Sequence, residues 1–291
     1  MSLDTPAQAR ERAVRRVLAS LLLANLAVVA IKVLIGYATG SLSVLGDAVH
    51  SSVDGINNIL GLAVVRFAAR GPDDDHPYGH AKFETLGALA IVVFLSLTLF
   101  ELLRSAFDRL LHGGDPITVR PLDLTLLVFT LVINIWVAWY ERRRGKALQS
   151  DLLIADAAHT QSDVYVTMAV LVGLGLTSAG YGWADPVLTL VVGVFVARIG
   201  WQVVMQAMPT LMDQAALDSH EIQRVANGVD GVAEAYAIRS RSSGHQRFAE
   251  LTISVPGTVT VSSAHRVTEA VEEALRRDLG FHIVVVHVEP C

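Results

Sequence analysis

The sequence has few charged residues and almost no cysteine. Only 18% of its 291 residues are Asp, Glu, Lys or Arg, whereas 52% are hydrophobic, and the mean hydropathy is +0.47. This composition excludes an ordinary soluble domain and is typical of a chain that lies largely within a membrane. The single cysteine, Cys291, excludes a disulfide bond within the chain. The net charge of −5 argues against a nucleic-acid partner.

The N-terminal region also lacks the features of a cleaved signal peptide. Arginines precede the first apolar run, as they do in such peptides, but the run is too long and contains no small-residue cleavage site. We therefore interpret this run as a first membrane span. The polar residues 1–13 before it are predicted to form a frayed N-terminal tail on the cytosolic side.

Six apolar runs are long enough to cross a membrane. They cover about residues 14–37, 42–67, 83–111, 122–140, 152–179 and 185–212. A helix needs ~20 apolar residues to span ~30 Å of hydrocarbon. The sequence therefore predicts a polytopic α-helical membrane domain with six transmembrane helices over residues 14–212. The fourth run ends at a charged segment, Glu141 to Arg144, which is interpreted as the membrane boundary.

The basic residues predict how this domain is oriented. They concentrate before the first run and in the connections after the second and fourth runs, at residues 10–16, 66–82 and 142–146. The connections after the first and fifth runs contain no Lys or Arg. Because cytoplasmic loops carry the excess of positive charge, both termini are predicted to be cytosolic in a multi-pass protein of the inner (plasma) membrane.

The pattern changes after residue 212. Residues 218–229 and 262–279 have helical patterns, with Asp218 as a predicted N-cap and Gly280 as a predicted stop. Strand patterns occur at about residues 234–242, 247–255 and 282–289. The order α-β-β-α-β predicts a small cytosolic α+β domain, an open-faced sandwich, over residues 213–291.

One pattern of ionisable residues occurs twice inside the apolar runs. The motif D-x-x-H-x-x-x-D forms residues 47–54 in the second run and residues 156–163 in the fifth. Residues four apart share a helix face, so each copy places an imidazole and a carboxylate one turn apart. Two such faces would offer four ligands to one tetrahedral Zn²⁺. The four residues are His50, Asp54, His159 and Asp163.

The alternative is that these polar residues pair with each other or with backbone near helix ends. We favour a functional site because ionisable groups inside a membrane are costly. The first aspartates of the motifs, Asp47 and Asp156, have two open interpretations: stations for the ion or proton, or carboxylates at the positive end of a helix dipole. Three other polar residues in the runs, Asn25, Lys32 and Asn57, are predicted to make hydrogen bonds between helices.

These features together resemble the cation diffusion facilitator family. The resemblance rests on the six spans, the paired H-x-x-x-D motifs in spans two and five, the loop Asp-Asp-Asp-His-Pro-Tyr-Gly-His-Ala-Lys at residues 73–82 and the α-β-β-α-β tail. It covers nearly the whole chain. Members of this family are homodimeric transporters that export divalent metals, usually against protons.

The resemblance implies up to three metal sites. The four motif residues would form the transport site, and two His with two Asp look like the zinc-preferring variant. The loop would supply a second site, formed by Asp73, His76 and His80; we expect a helical start to span three to align the two histidines. The tail would supply a third, formed by His265, His287 and Glu289 and completed by Cys291 or His245.

The tail departs from the family pattern, because Tyr236 and Thr252 stand where some members have further histidines. A site with one ion is therefore expected rather than a full binuclear site. A tail that dimerises by packing alone is the alternative.

The function implied is export of Zn²⁺ coupled to proton antiport, by a homodimer in a lipid bilayer, with Zn²⁺ as substrate and as a bound structural or regulatory ion. Two alternatives remain open: an exporter of Fe²⁺, Co²⁺, Cd²⁺ or Mn²⁺, and a membrane metal sensor without flux. An intramembrane metalloenzyme has no support, since the sequence contains no H-E-x-x-H motif.

Overall fold

A computed structural model describes residues 6–39, 42–112, 121–179, 181, 183–243 and 246–291. The chain forms two compact units, Met1–Ala207 and Met208–Cys291. The boundary agrees with the change in sequence pattern, since the first unit is helical and the second contains all the described strands.

Long helices form the first unit and lead into the second. The part of the chain that the structure describes contains six of them: α1 (Pro6–Thr39), α2 (Leu42–Ala68), α3 (Lys82–His112), α4 (Pro121–Leu148), α5 (Asp151–Ser178) and α6 (Ala184–Leu211). Among the described residues, four segments are long and apolar enough to cross a membrane: Ala9–Ile35, Lys82–His112, Leu124–Leu148 and Ala184–Leu211. Helix α5 is not among these four segments, and its first half carries the polar motif.

Two helices extend beyond the predicted spans. Helix α1 begins at Pro6, so most of the predicted frayed tail is helical; proline is well suited to the first helical position. Helix α4 continues to Leu148, eight residues past the predicted end of the fourth span at residue 140. In this extension the guanidinium of Arg143 lies 5.4 Å from the ring centre of Trp139, one turn earlier. Such contacts between residues four apart favour continuation of the helix.

Helix α5 occupies the interior of the first unit. Its residues Leu152 and Leu153 join a cluster with buried side chains of α1, α2 and α4, and its residues Ala155 and Ala158 join a second cluster with α3 and α6. At Gly87 of α3 the helices approach so closely that a Cβ atom would lie 2.7 Å from Val64 and 3.2 Å from Leu152. The second motif is therefore carried by a helix enclosed on several sides.

The second unit has the predicted order α-β-β-α-β. Its elements are α7 (Ser219–Asn227), β1 (Glu234–Ser243), β2 (Gln246–Val255), α8 (Val261–Leu279) and β3 (Ile283–Pro290). The sheet order is β1-β2-β3, with β1 antiparallel and β3 parallel to β2. Both predicted helix signals are confirmed: Asp218 caps α7 by accepting from the His220 N–H, and Gly280 ends α8 in a left-handed conformation with φ 69°.

The core of this unit lies between the sheet and its two helices. Buried residues from every element form one cluster, in which Ile222 of α7, Ile253 of β2 and Leu275 of α8 are fully buried. A row of polar side chains crosses the sheet from Tyr236 through Thr252 to His287, which are paired in register. All three are at least partly exposed, as expected for residues that point away from the core.

Candidate metal sites

The loop between α2 and α3 brings three candidate ligands together. Asp73, His76 and His80 each offer one ligand atom within 4.8 Å of the others, and no second such group occurs among the described residues. One carboxylate oxygen of Asp73 lies 3.1 Å from Nδ1 of His76, and the other lies 3.3 Å from Nε2 of His80. The two imidazole ring centres are 4.3 Å apart.

A tight turn, and not a helix, places the two histidines. Helix α3 begins at Lys82, so the expectation that a helical start to span three would align His76 and His80 is wrong. The Asp73 carboxylate accepts from the backbone N–H of His76 at 2.7 Å, and the Gly79 N–H donates to the His76 carbonyl at 2.9 Å. Gly79 has φ +81°, a conformation that favours glycine.

His80 is held firmly in one orientation. Its side chain is only 2% exposed, and its ring packs against Phe67 and Phe83 at centroid distances of 5.0 and 5.7 Å. Its Nδ1 lies 3.2 Å from the carbonyl oxygen of Gly71. If Nδ1 carries the proton and donates to that carbonyl, Nε2 presents its lone pair toward Asp73, which is the arrangement a metal-binding imidazole needs.

The Asp73 carboxyl is kept ionised. Desolvation raises the pKa of Asp73, but hydrogen bonds from the backbone and side chain of His76, together with the charges of His80 and His76, outweigh it and leave the pKa below its ordinary value. An ionised carboxylate is the form that binds a cation. The geometry and charge of this loop therefore suit a divalent metal.

The transport motif is described for α5 only. Nε2 of His159 lies 3.9 Å from a carboxylate oxygen of Asp163 one turn along the helix, and both side chains are largely buried. His50 and Asp54 lie within helix α2, but their side chains fall outside the described part of the structure. The predicted approach of the two motifs to a common ion therefore stays a prediction.

A polar cavity adjoins the α5 motif. It is lined by Val137 and by polar residues from four helices: Asn25 of α1, Asn58 of α2, Asn134 and Glu141 of α4, and Asp156, His159, Thr160 and Asp163 of α5. It offers about 20 Å³ to water-sized molecules, which is enough for roughly one water or ion. The cavity places the second motif in a small, partly enclosed polar environment.

Several of these lining residues were not predicted from the sequence. Glu141 was interpreted as part of the membrane boundary and Asn25 as a contact between helices, and Asn57 was predicted to be the polar residue in this part of α2, whereas Asn58 lines the cavity. Helical spacing was the available signal, because Asn58 is four residues after Asp54 and Asn134 is seven before Glu141. The structure also makes Asp156 part of the cavity wall, with 6% of its surface exposed.

The predicted ligands in the second unit form two separate pairs. Nε2 of His265 lies 3.4 Å from Glu269 on the same helix, and Nε2 of His287 lies 3.5 Å from Glu289 on β3. Within the described residues, His265 is not brought together with His287 and Glu289 as a three-ligand group. Cys291 is exposed, and His245 lies outside the described residues.

Tyr236 occupies this polar surface of the sheet and donates a short hydrogen bond to Glu289. This hydrogen bond, with smaller contributions from desolvation and from the charges of Glu289 and Glu234, raises the pKa of the Tyr236 hydroxyl. One carboxylate oxygen of Glu289 therefore already accepts a hydrogen bond from within the protein.

Residues 18–212 match the family model described as the cation efflux transmembrane domain, and residues 215–291 match the cation efflux protein cytoplasmic domain. This chain belongs to the cation diffusion facilitator family. The family assignment makes it a metal cation efflux transporter, with a multi-pass helical membrane domain followed by a small cytoplasmic α/β domain.

Three relatives agree with this assignment over most of their length. An uncharacterised transporter of Methanocaldococcus jannaschii is 30% identical over 280 residues, which cover 96% of this chain and 99% of that protein. The cation-efflux pump FieF of Salmonella arizonae is 31% identical over 268 residues, which cover 91% of this chain and 89% of that protein. FieF of Citrobacter koseri is 32% identical over 281 residues, which cover 95% of this chain and 92% of that protein.

Among solved structures, the copper form of the MamM C-terminal domain is 29% identical over 25% of this chain and 71% of that chain, with a TM-score of 0.24.

Proposed function

We propose that this cation diffusion facilitator exports Zn²⁺ in exchange for protons. The observation that carries the proposal is the pair formed by His159 and Asp163, 3.9 Å apart on α5 and lining a small polar cavity. The second copy of the motif, with His50 and Asp54, would supply the other two ligands from α2. Two imidazoles and two carboxylates suit tetrahedral Zn²⁺, whereas a set of oxygen ligands alone would suit harder ions.

Proton coupling follows from the chemistry of this ligand set. Only neutral imidazole and ionised carboxylate bind a metal, so protons and Zn²⁺ compete for the site. Histidine side chains titrate near physiological pH. An ion loaded from a near-neutral cytosol would therefore be displaced by protons when the site opens to a more acidic exterior. Tilting of the ligand-bearing helices would expose the site to each side in turn.

The loop between α2 and α3 is proposed as a resident Zn²⁺ site. Asp73, His76 and His80 provide one oxygen and two nitrogens, and the lowered pKa of Asp73 keeps its carboxylate available. A fourth position would be filled by water or by Asp74 or Asp75. The tail site of His265, His287 and Glu289 needs a rearrangement or a second protomer, because one protomer holds these residues as two pairs.

The proposed assembly is a homodimer in the inner membrane, with both termini in the cytosol. The orientation rests on the basic residues at 10–16, 66–82 and 142–146, which would all lie on the cytosolic side. The second unit would provide the dimer contact, consistent with its match to the cytoplasmic domain of cation efflux proteins.

Reconstituted vesicles with an imposed pH gradient test this proposal. We expect Zn²⁺ flux accompanied by proton counter-movement, and loss of flux in Asp163→Ala. The matched control is Asp108→Ala, which removes an exposed carboxylate on α3. Faster flux of Fe²⁺, Co²⁺, Cd²⁺ or Mn²⁺ would overturn the zinc assignment, and metal binding without flux would identify a sensor. An unchanged rate in Asp163→Ala would exclude the four-ligand site.

A further inference from the structure

Glu141 of α4 is a buried acid in the membrane domain. Only 2% of its surface is exposed, whereas the three arginines that follow it, Arg142 to Arg144, are exposed. The helix therefore directs Glu141 inward and the basic residues outward. Burying a carboxyl group in a membrane protein is costly, and such groups are usually functional.

Glu141 lies on the face of α4 that lines the polar cavity. Asn134 and Val137, seven and four residues earlier, line the same cavity, as expected for one helical face. Across the cavity stands the α5 motif with His159 and Asp163. A carboxylate from a third helix thus shares one enclosed space with half of the proposed transport site.

Asp156 supplies a second carboxyl group to this space. It is 6% exposed and lies one turn before His159 on α5. Asp156 is nearer the start of α5 than the His159–Asp163 pair, whereas Glu141 lies level with the pair, because its carboxylate contacts Thr160. The asparagines Asn25, Asn58 and Asn134 add neutral amide oxygens to the wall.

A purely structural role is the competing explanation for Glu141. The hydroxyl of Thr160 donates to its carboxylate at 3.1 Å, which ties α5 to α4. Glutamine at this position would accept the same hydrogen bond without burying an ionisable group, at a lower cost in desolvation. The hydrogen bond to Thr160 does not by itself require an acid, so exchanging Glu141 for glutamine separates this hydrogen bond from a role of the carboxylate charge.

We infer that Glu141 and Asp156 form an oxygen-rich extension of the transport site that binds the divalent ion beside the His159–Asp163 pair. The inference rests on the proposed function. Carboxylate and amide oxygens are good ligands for divalent cations, and the imidazole of His159 adds a softer nitrogen ligand beside them. The cavity has room for about one ion or water at a time.

Variants assayed in vesicles loaded with a zinc dye test this inference. Glu141→Gln keeps the size and the acceptor for Thr160 but removes the carboxylate. We expect its KM for Zn²⁺ to rise about tenfold, the scale seen when a group supporting a metal ligand is lost, with kcat within about twofold. Asp108→Asn, which changes an exposed carboxylate on α3 that does not line the cavity, is the control and should leave KM within about twofold of the parent.

The outcomes separate the possible roles. An unchanged KM in Glu141→Gln, or a fall in kcat alone, would overturn the inference, and so would the same rise in KM in Asp108→Asn. If Glu141→Gln does not fold, as judged by size exclusion and thermal unfolding, Asp156→Asn decides by the same KM criterion. Asp163→Ala is run in parallel, because normal transport by that variant would refute the proposed function, whatever Glu141 does.

Discussion

The guanidinium of Arg10, near the start of α1, binds the carboxylate of Glu84 in the first turn of α3, with an N–O distance of 3.2 Å. It also donates to the carbonyl oxygens of Leu148 and Gln149, at 2.6 and 2.8 Å, where α4 ends. The hydroxyl of Ser150 donates to the same Glu84 carboxylate. One arginine thus joins α1, α3 and the α4–α5 turn.

Removing this arginine should destabilise the membrane domain. Glu84 has 8% of its side chain exposed. Arg10→Ala would leave its carboxylate buried without the guanidinium that balances its charge, which should lower the free energy of unfolding by about 3 kcal/mol. Thermal unfolding in detergent, followed by helical circular dichroism, measures the loss. Arg16→Ala, an exposed arginine on the same helix, is the control. The double variant Arg10→Ala with Glu84→Gln should recover part of the loss; no recovery would count against a charge-pair role.

The loop site makes a prediction about stoichiometry. His80→Ala removes the buried imidazole from the Asp73–His76–His80 group, so we expect the purified protein to retain about one Zn²⁺ fewer per chain than the parent, as measured by elemental analysis. Transport should continue, because His159 and Asp163 are untouched. His112→Ala removes an exposed histidine at the end of α3 and should leave the metal content unchanged. Equal metal content in both variants would exclude a loop site.

Tyr236 provides a test that depends on pH. It is the sole tyrosine in residues 208–291, and the hydrogen bond to Glu289 raises its pKa above the ordinary value of about 10. Because the interaction raises the pKa of Tyr236, it stabilises the second unit fully at pH values below the pKa of this tyrosine in the unfolded chain. This stabilisation is lost as the pH rises through the higher pKa of the tyrosine in the folded unit. Ultraviolet titration of tyrosinate in the 208–291 fragment should show a lower pKa in Glu289→Gln and no change in Glu269→Gln, whose partner is His265.

The second unit should lose stability when its core is truncated. Leu275 of α8 is fully buried in the cluster between sheet and helices, so Leu275→Ala should cost about 2–5 kcal/mol. Urea unfolding of the 208–291 fragment measures this change. Val261→Ala, at a position that is 88% exposed, should change the free energy of unfolding by less than about 0.5 kcal/mol. Similar losses in both variants would contradict the assigned core.

Much of the architecture could be predicted because it follows from local patterns. The apolar runs predicted the long helices, and the alternation after residue 212 predicted the α-β-β-α-β unit with its Asp218 cap and Gly280 stop, all confirmed in the structure. Capping, periodicity and span length depend on residues close in sequence. The pairing of β3 parallel to β2 depends on the crossover through α8, which the local pattern did not specify.

The site residues were harder to predict because their positions depend on tertiary contacts. Glu141 stands beside three arginines, a local signal for a membrane boundary, yet helix α4 continues and buries it. His76 and His80 have helical spacing, but the turn at Gly79 and the hydrogen bonds of Asp73 place them before α3. Nothing in the separation of Arg10 and Glu84 by 74 positions indicates their contact.

The absence of a side chain at Gly87 limits which substitutions this part of the chain can accept. A methyl group there would collide with Val64 and crowd Leu152. Even alanine would therefore force the neighbouring helices apart or require a smaller side chain opposite it, and either change is costly in a densely packed interior. Residues 64, 87 and 152 should therefore covary among related sequences, with a larger side chain at one of these positions accompanied by a smaller one at another.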